Sequence, residues 1–249
     1  MRRSNEMHRA DLNIADMHSH ILPALDDGAS DAEISVQMLK MSAEQGVSRI
    51  VATPHFYPEK ESPDEFLSRR SASVEMLLPH LHSGLPSVYV GAEVAYFIGI
   101  GRSQDMKRLC IADTKYIMVE MPFERWSDSV IENLIAMKTV LGLSPIIAHI
   151  ERYILQQPRK TLEALAQAGI LIQANSEFFT SRKTARRARS LLSRGLIHLL
   201  GSDCHSTECR APNIGSALKA LEGVAAAEEL DFVSDMVLAD ATPIFSGEN

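Results

Sequence analysis

One pattern recurs four times in this chain. A glycine is followed at once by a short, almost wholly apolar run: Gly46-VSRIVAT, Gly142-LSPIIAH, Gly169-ILIQAN and Gly195-LIHLLGSD. Glycine suits the position just past a helix, where the left-handed conformation carries no Cβ penalty. Each unit therefore reads as helix end, turn, strand. Runs that are apolar throughout suit parallel strands covered on both faces. The spacing predicts seven strands, near residues 14–18, 48–53, 87–93, 116–120, 145–149, 170–175 and 196–203, with helices filling most of the gaps. Ser30 to Glu33 and Ser62 to Glu65 read as capping boxes that open two of these helices, the second with Pro63 at its first position. Parallel strands with helical crossovers form either a doubly wound sheet or a barrel. Polar residues stand at the C-terminal end of nearly every strand, all round the series. That is how a barrel mouth is built, and it favours the barrel. A length of 249 residues suits one such domain over residues 14–249. Residues 1–13 are polar, without a period, and read as an extension.

Charge and cysteine content narrow the function. Lys and Arg number 25 against 32 Asp and Glu, a net −7, which argues against non-specific binding to nucleic acid or a membrane surface. The three cysteines, Cys110, Cys204 and Cys209, form no paired framework, as expected of reduced thiols in the cytoplasm. The basic start lacks an apolar stretch and does not read as a secretory signal, and no run of about 18 apolar residues offers a membrane span.

The chemistry lies at the strand ends. In order they carry His18 and His20, a loop with Asp26 and Asp27, then His55, Glu93, Glu120, His149, and finally Asp203 with His205. Residues i and i+2 of a strand share a face. His18 with His20, and Asp203 with His205, therefore each aim two donor atoms at one point. Five histidines and four carboxylates, the Asp26-Asp27 loop counted once, make nine nitrogen and oxygen ligands, more than one ion needs. Imidazole with carboxylate suits Zn, Mn or Fe, and shared carboxylates allow two or three ions. Clustered ions can deprotonate a bridging water at neutral pH and clamp a phosphoryl group. Arg152 and Arg210 stand close by in sequence. Metal binding needs no arginine, so two guanidinium groups there point to an anionic substrate. His198 lies out of phase with Asp203 and should face the helix layer. His80 and His82 fall in a helical stretch and His8 in the extension. Cys204 should point away from its neighbours as buried filler.

These residues resemble the polymerase and histidinol phosphatase (PHP) superfamily, and within it the bacterial manganese-dependent protein-tyrosine phosphatases of capsule and exopolysaccharide synthesis. The matching text begins with the stretch from Asp16 to Ser30 and continues through ATPHFYP at His55, GAEVAYF at Glu93 and YIMVEMPF at Glu120. PIIAHIERY at His149, QANS at 173–176 and GSDCHSTECRAPN from Gly201 complete it. Family members often begin almost at the first His pair, and many carry a second His where this chain has Phe56. The resemblance implies a distorted (β/α)7, TIM-like barrel with three divalent ions, Mn²⁺ first and Fe, Zn or Co as alternatives. It implies His18, His20, Asp27, His55, Glu93, Glu120, His149, Asp203 and His205 as ligands, with Arg152 and Arg210 as the catalytic and substrate-binding groups on the phosphate. The partner it implies is a phosphotyrosine protein, the tail of a bacterial tyrosine kinase. Other readings are a different PHP phosphoesterase such as a histidinol-phosphate phosphatase, a metal-binding regulatory module without turnover, and an amidohydrolase.

Overall fold

The four glycines take φ between 64° and 86°, the left-handed region their helix-end positions require. A computed structural model describes residues 14–224 and 226–247. The extension expected at 1–13 lies outside these. The strands and helices run β1 (Ile14–Ser19), α1 (Ala32–Glu44), β2 (Val47–Ala52), β3 (His55–Phe56), α2 (Pro63–Leu77), β4 (Ser87–Val90), β5 (Glu93–Ala95) and β6 (Tyr116–Glu120). They continue α3 (Asp128–Thr139), β7 (Ser144–Ile147), α4 (Arg159–Gln167), β8 (Leu171–Asn175), α5 (Ser176–Thr180), α6 (Ala185–Leu192), β9 (Leu199–Gly201), α7 (Ile214–Ala220) and α8 (Ala227–Leu238).

Every strand pairing is parallel, in the orders β1-β2-β4 and β3-β5-β6-β7-β8-β9. The second and third expected strands each end early and resume, past a short break, as a further short strand. The second splits into β2 and β3 at Thr53-Pro54, because proline has no amide to give to a ladder. The third splits into β4 and β5 at Gly91-Ala92, where Gly91 lies so close to Ile111 that a Cβ would crowd it. Hydrogen bonds carry across both breaks, Thr53 N to Ser19 O at 2.8 Å and Glu93 N to Pro54 O at 2.9 Å. The nine pieces thus make seven staves. The ring closes where Asp203 N donates to His18 O at 2.8 Å and His20 N to Cys204 O at 2.9 Å.

One further expectation needs correction. Helix α1 is capped by Asp31, whose carboxylate accepts from Ile34 N, and not by Ser30. The cap thus falls one residue later than expected, on a carboxylate in place of a hydroxyl. The crossover from β5 to β6 holds short 3-10 turns at Ile100–Arg102 and Gln104–Leu109 in place of an α-helix. The capping box at Ser62 and Glu65 is present with both its bonds.

Apolar side chains from strands all round the ring meet in its lumen: Met17, Val51, Tyr89, Met118, Ile146 and Leu199, joined by Val233 and Val237 of α8. The larger outer group packs α3, α4 and α6 on the strands. No helix among the described residues is long and apolar enough to cross a membrane.

Candidate metal centre

The mouth of the ring collects the predicted residues. His20, Asp27, His55 and His205 each bring one donor atom within 4.8 Å of the others; so do His18, His20 and Asp203, and so do His55, Glu93 and Glu120. His20 and His55 are shared between groups. His149 stands outside these three sets, with its Nε2 2.6 Å from Glu93 Oε1 and 3.7 Å from Glu120 Oε1. The chain's nine candidate ligands thus form one continuous cluster, most of it buried, with Asp27 exposed at its edge.

Outer hydrogen bonds set which ring nitrogen faces inward. Gln173 Oε1 accepts from the backbone amide of His149 at 2.6 Å, which fixes that oxygen as an acceptor, so His18 Nδ1 at 3.3 Å must be the donor. Asp26 Oδ2 accepts from His20 Nδ1 at 2.7 Å. His205 Nδ1 donates to the Asp203 carbonyl at 2.9 Å. Tyr153 Oη lies 3.2 Å from His149 Nδ1. With Nδ1 of His18, His20 and His205 donating outward, the neutral form of each ring leaves its Nε2 lone pair facing the cluster.

This arrangement fits a set of cations. The Nε2 atoms of His18 and His20 are 3.2 Å apart, and each is within 3.5 Å of Glu93 Oε2 and Asp203 Oδ1. Lone pairs and carboxylate oxygens at that separation repel unless positive charge lies among them. Glu93 Oε2, Asp203 Oδ1 and His205 Nε2 are buried without a well-directed hydrogen bond, a costly condition that an ion relieves. Titration points the same way. Burial opposes ionisation of Glu93 and Asp203, yet the surrounding histidines hold both carboxyls well below the usual range. Burial likewise opposes a charge on His20, but Asp203 and Asp26 draw its pKa well above the ordinary value. The donor set, all nitrogen and oxygen, suits Mn, Fe or Zn.

The two arginines sit on the rim, partly exposed. Arg152 Nη2 donates to Asp203 Oδ2 at 2.8 Å, with Nη1 3.5 Å from Glu120 Oε1, and Arg210 Nη2 is 2.6 Å from Asp203 Oδ1. His149, Asp203 and Arg210 all have positive φ, at 29°, 53° and 57°. Left-handed backbone is uncommon outside glycine, and such strain gathers at functional sites.

The structure gives several residues supporting roles that the sequence reading does not assign. Asp26 also accepts from the amides of Gly28 and His55. Despite burial, its bond from His20 brings its pKa down to about 2. Asp16 accepts from Ser202 N at 2.8 Å, tying β1 to the last strand, and burial pushes its carboxyl up to about 6. Asn175 Nδ2 donates to Asp203 Oδ2 at 2.9 Å, and Glu151 accepts from Asn175 N, its carboxyl pushed up to about 7 by burial. The signal for Gln173 and Asn175 is legible in retrospect: two amides, i and i+2, within the apolar run LIQAN.

Residues set aside in the sequence stay apart. His198 Nδ1 accepts from Ile172 N at 3.0 Å, and His198 is in none of the three donor groups. Cys204 is buried against Ile21, Leu22 and Leu39, and burial pushes its thiol up.

Comparison with known proteins agrees with this geometry. The tyrosine-protein phosphatase CpsB of Streptococcus pneumoniae is 32% identical over 213 residues, spanning 81% of this chain and 87% of that protein. The tyrosine-protein phosphatase YwqE of Bacillus subtilis is 32% identical over 220 residues, 83% of each. A crystal structure from work on YwqE and CpsB, described as unique metal-dependent tyrosine phosphatases, superposes with a TM-score of 0.78 at 27% identity, covering 92% of this chain and 96% of that one. Dihydropyrimidinase from Brevibacillus agri, at a TM-score of 0.53 and 12% identity, shares the fold alone. The pattern of the capsular polysaccharide synthesis family CpsB/CapC matches residues 14–242, and the chain belongs to that family.

Proposed function

We propose that this chain is a metal-dependent phosphomonoesterase that removes phosphate from tyrosine in a protein. The observation that carries the reading is the inward convergence of imidazole Nε2 atoms and carboxylate oxygens on one buried cluster with two arginines at its edge. The nine residues His18, His20, Asp27, His55, Glu93, Glu120, His149, Asp203 and His205 would hold three divalent ions, Mn²⁺ before Fe, Zn or Co. Such ions activate water as a nucleophile and neutralise phosphoryl oxygens. The chain's own residues supply the rest. Gln173, Asp26 and Tyr153 keep the imidazoles turned, so that the site needs no rearrangement as charge develops. Arg152 and Arg210 meet the equatorial oxygens of the phosphoryl group. A phenolate leaving group has a pKa near 10, so departure demands less of a general acid than an alkyl ester would. None of the three cysteines stands in the cluster, and no covalent phosphoenzyme is required. Residues 14–249 act as one barrel domain. The reading places the protein in the cytoplasm, acting on the phosphorylated tail of a bacterial tyrosine kinase.

The test compares hydrolysis of a phosphotyrosine peptide, a phosphoserine peptide and histidinol phosphate by Mn²⁺-loaded protein, with and without excess chelator. The phosphotyrosine peptide should be the best substrate and chelation should abolish turnover, while alkylation of the exposed Cys209 leaves it intact. Preference for histidinol phosphate would assign a different phosphoesterase activity, and full turnover after verified metal removal would end the metal reading.

A further inference from the structure

Six of the chain's 25 Lys and Arg fall within residues 182–194, which hold no Asp or Glu, on a molecule of net charge −7. Arg182, Lys183, Arg186 and Arg187 are all exposed, and their side chains have no ion-pair partner among the described residues. They gather at the start of α6. That is the positive end of the helix dipole, where cations cost stability. An arrangement that works against the fold calls for a partner that rewards it.

The position is close to the metal centre. Asn175, bonded to Asp203, leads directly into α5, and the turn after α5 is tied back by Ser181 N to Glu177 O and Thr184 Oγ1 to Phe178 O. Five helical residues and the turn that follows keep Arg182 within about 15 Å of Asn175. Helix α6 then runs away from the mouth, as a crossover between parallel strands must, leaving Arg194 near the far end. An extended peptide advances about 3.4 Å per residue, so the basic ridge lies within reach of side chains about four to six residues from a phosphotyrosine at the metals.

We propose that Arg182, Lys183, Arg186 and Arg187 form a docking ridge for acidic residues that flank the target phosphotyrosine in the protein substrate; this rests on the phosphotyrosine reading above. Charge complementarity selects an acidic peptide. A bilayer is a poorer match, because the apolar residues of α6, Ala188, Leu191 and Leu192, are buried and none of the large exposed apolar side chains lies on this segment.

The test is binding, read by fluorescence anisotropy with the full chain loaded with Mn²⁺. The probes are peptides carrying a non-hydrolysable phosphonate analogue of phosphotyrosine, with four Glu or four Gln beginning four residues away, on either side. The Glu peptide of one polarity should bind about tenfold tighter at low salt, with the advantage shrinking as NaCl rises. Combined Arg182→Gln, Lys183→Gln, Arg186→Gln and Arg187→Gln should remove the advantage, leaving hydrolysis of a small aryl phosphate within about twofold of wild type. Arg194→Gln, a charge loss at the far end, should leave the preference in place. Equal binding of Glu and Gln peptides, or a preference that survives the fourfold change, overturns the ridge. Tighter capture by phosphatidylglycerol vesicles than by the Glu peptide overturns it in favour of a membrane surface. If aryl phosphate is not hydrolysed but the Glu peptide still binds tighter through these four residues, the phosphatase reading falls and the ridge stands.

Discussion

At the scale of single residues, ligands, the groups that aim them and the arginines should separate on measurement. Gln173→Leu removes the acceptor that turns His18, while leaving every candidate ligand in place. Loss of such an outer partner costs about 10- to 100-fold in metal affinity, which a competition titration with a chromophoric chelator reads directly. Arg152→Ala and Arg210→Ala should leave metal content unchanged. If the arginines meet the phosphate as proposed, each substitution should remove charge-assisted hydrogen bonds worth about 1.5–3 kcal/mol, or roughly a 10- to 150-fold fall in kcat/KM on one phosphotyrosine peptide. Lysine at either position should recover only part, since an ammonium lacks the planar fork. Variants with wild-type kcat/KM would remove the arginines from the phosphate. Variants that lose metal instead would make them supports of the cluster, which their contacts with Asp203 already permit.

Among elements, the join between β8 and β9 should make stability depend on pH. His198 Nδ1 must be unprotonated to accept from Ile172 N, and burial holds its pKa below the ordinary histidine value. The folded chain then takes up that proton less readily than the unfolded chain does. The stability it contributes is complete above the unfolded pKa of about 6.5 and declines as pH falls toward the lowered folded value, by up to about 1.4 kcal/mol per unit. His198→Asn offers an acceptor at the same place and does not titrate. Urea unfolding at pH 7.5 and 5.5 should show a shallower loss for the variant; equal slopes would sink the assignment. The same element shows why the sequence is readable. Strand ends such as Ile-Ile-Ala-His149 announce themselves because an apolar run stops at a polar residue, and the i, i+2 pairs follow from strand geometry alone. The breaks at Pro54 and Gly91 are less legible, since a strand that changes neighbours keeps its composition. Asp26 was harder still. It adjoins Asp27 in one loop, and only the folded chain shows that one carboxylate turns inward to hold His20 while the other meets solvent. The i+2 amides Gln173 and Asn175 could have been noticed, but their partners lie on other strands.

For the whole molecule, ions held by residues from several strands should stabilise the ring against unfolding. A site filled at 100 times its Kd contributes about 2.7 kcal/mol, and a chain of this size gains about 2–4 °C per kcal/mol. Mn²⁺ should therefore raise Tm by roughly 5–10 °C or more over protein in excess chelator, measured by thermal scanning at matched ionic strength. An unchanged Tm would mean that the cluster does not hold ions tightly. The closure of the ring carries one more consequence. His18 lies in the first strand with His20 just past its end, and Ser202, at the threshold of Asp203 and His205, lies 184 residues beyond His18. A chain leaving the ribosome displays the first half of the donors long before the second half has been made. Tight capture must wait for the last strand to dock on the first. On the proposed metal reading, a nascent, truncated or unzipped polypeptide would let its ions go, and the metals would act as a clasp that records whether the polypeptide is whole.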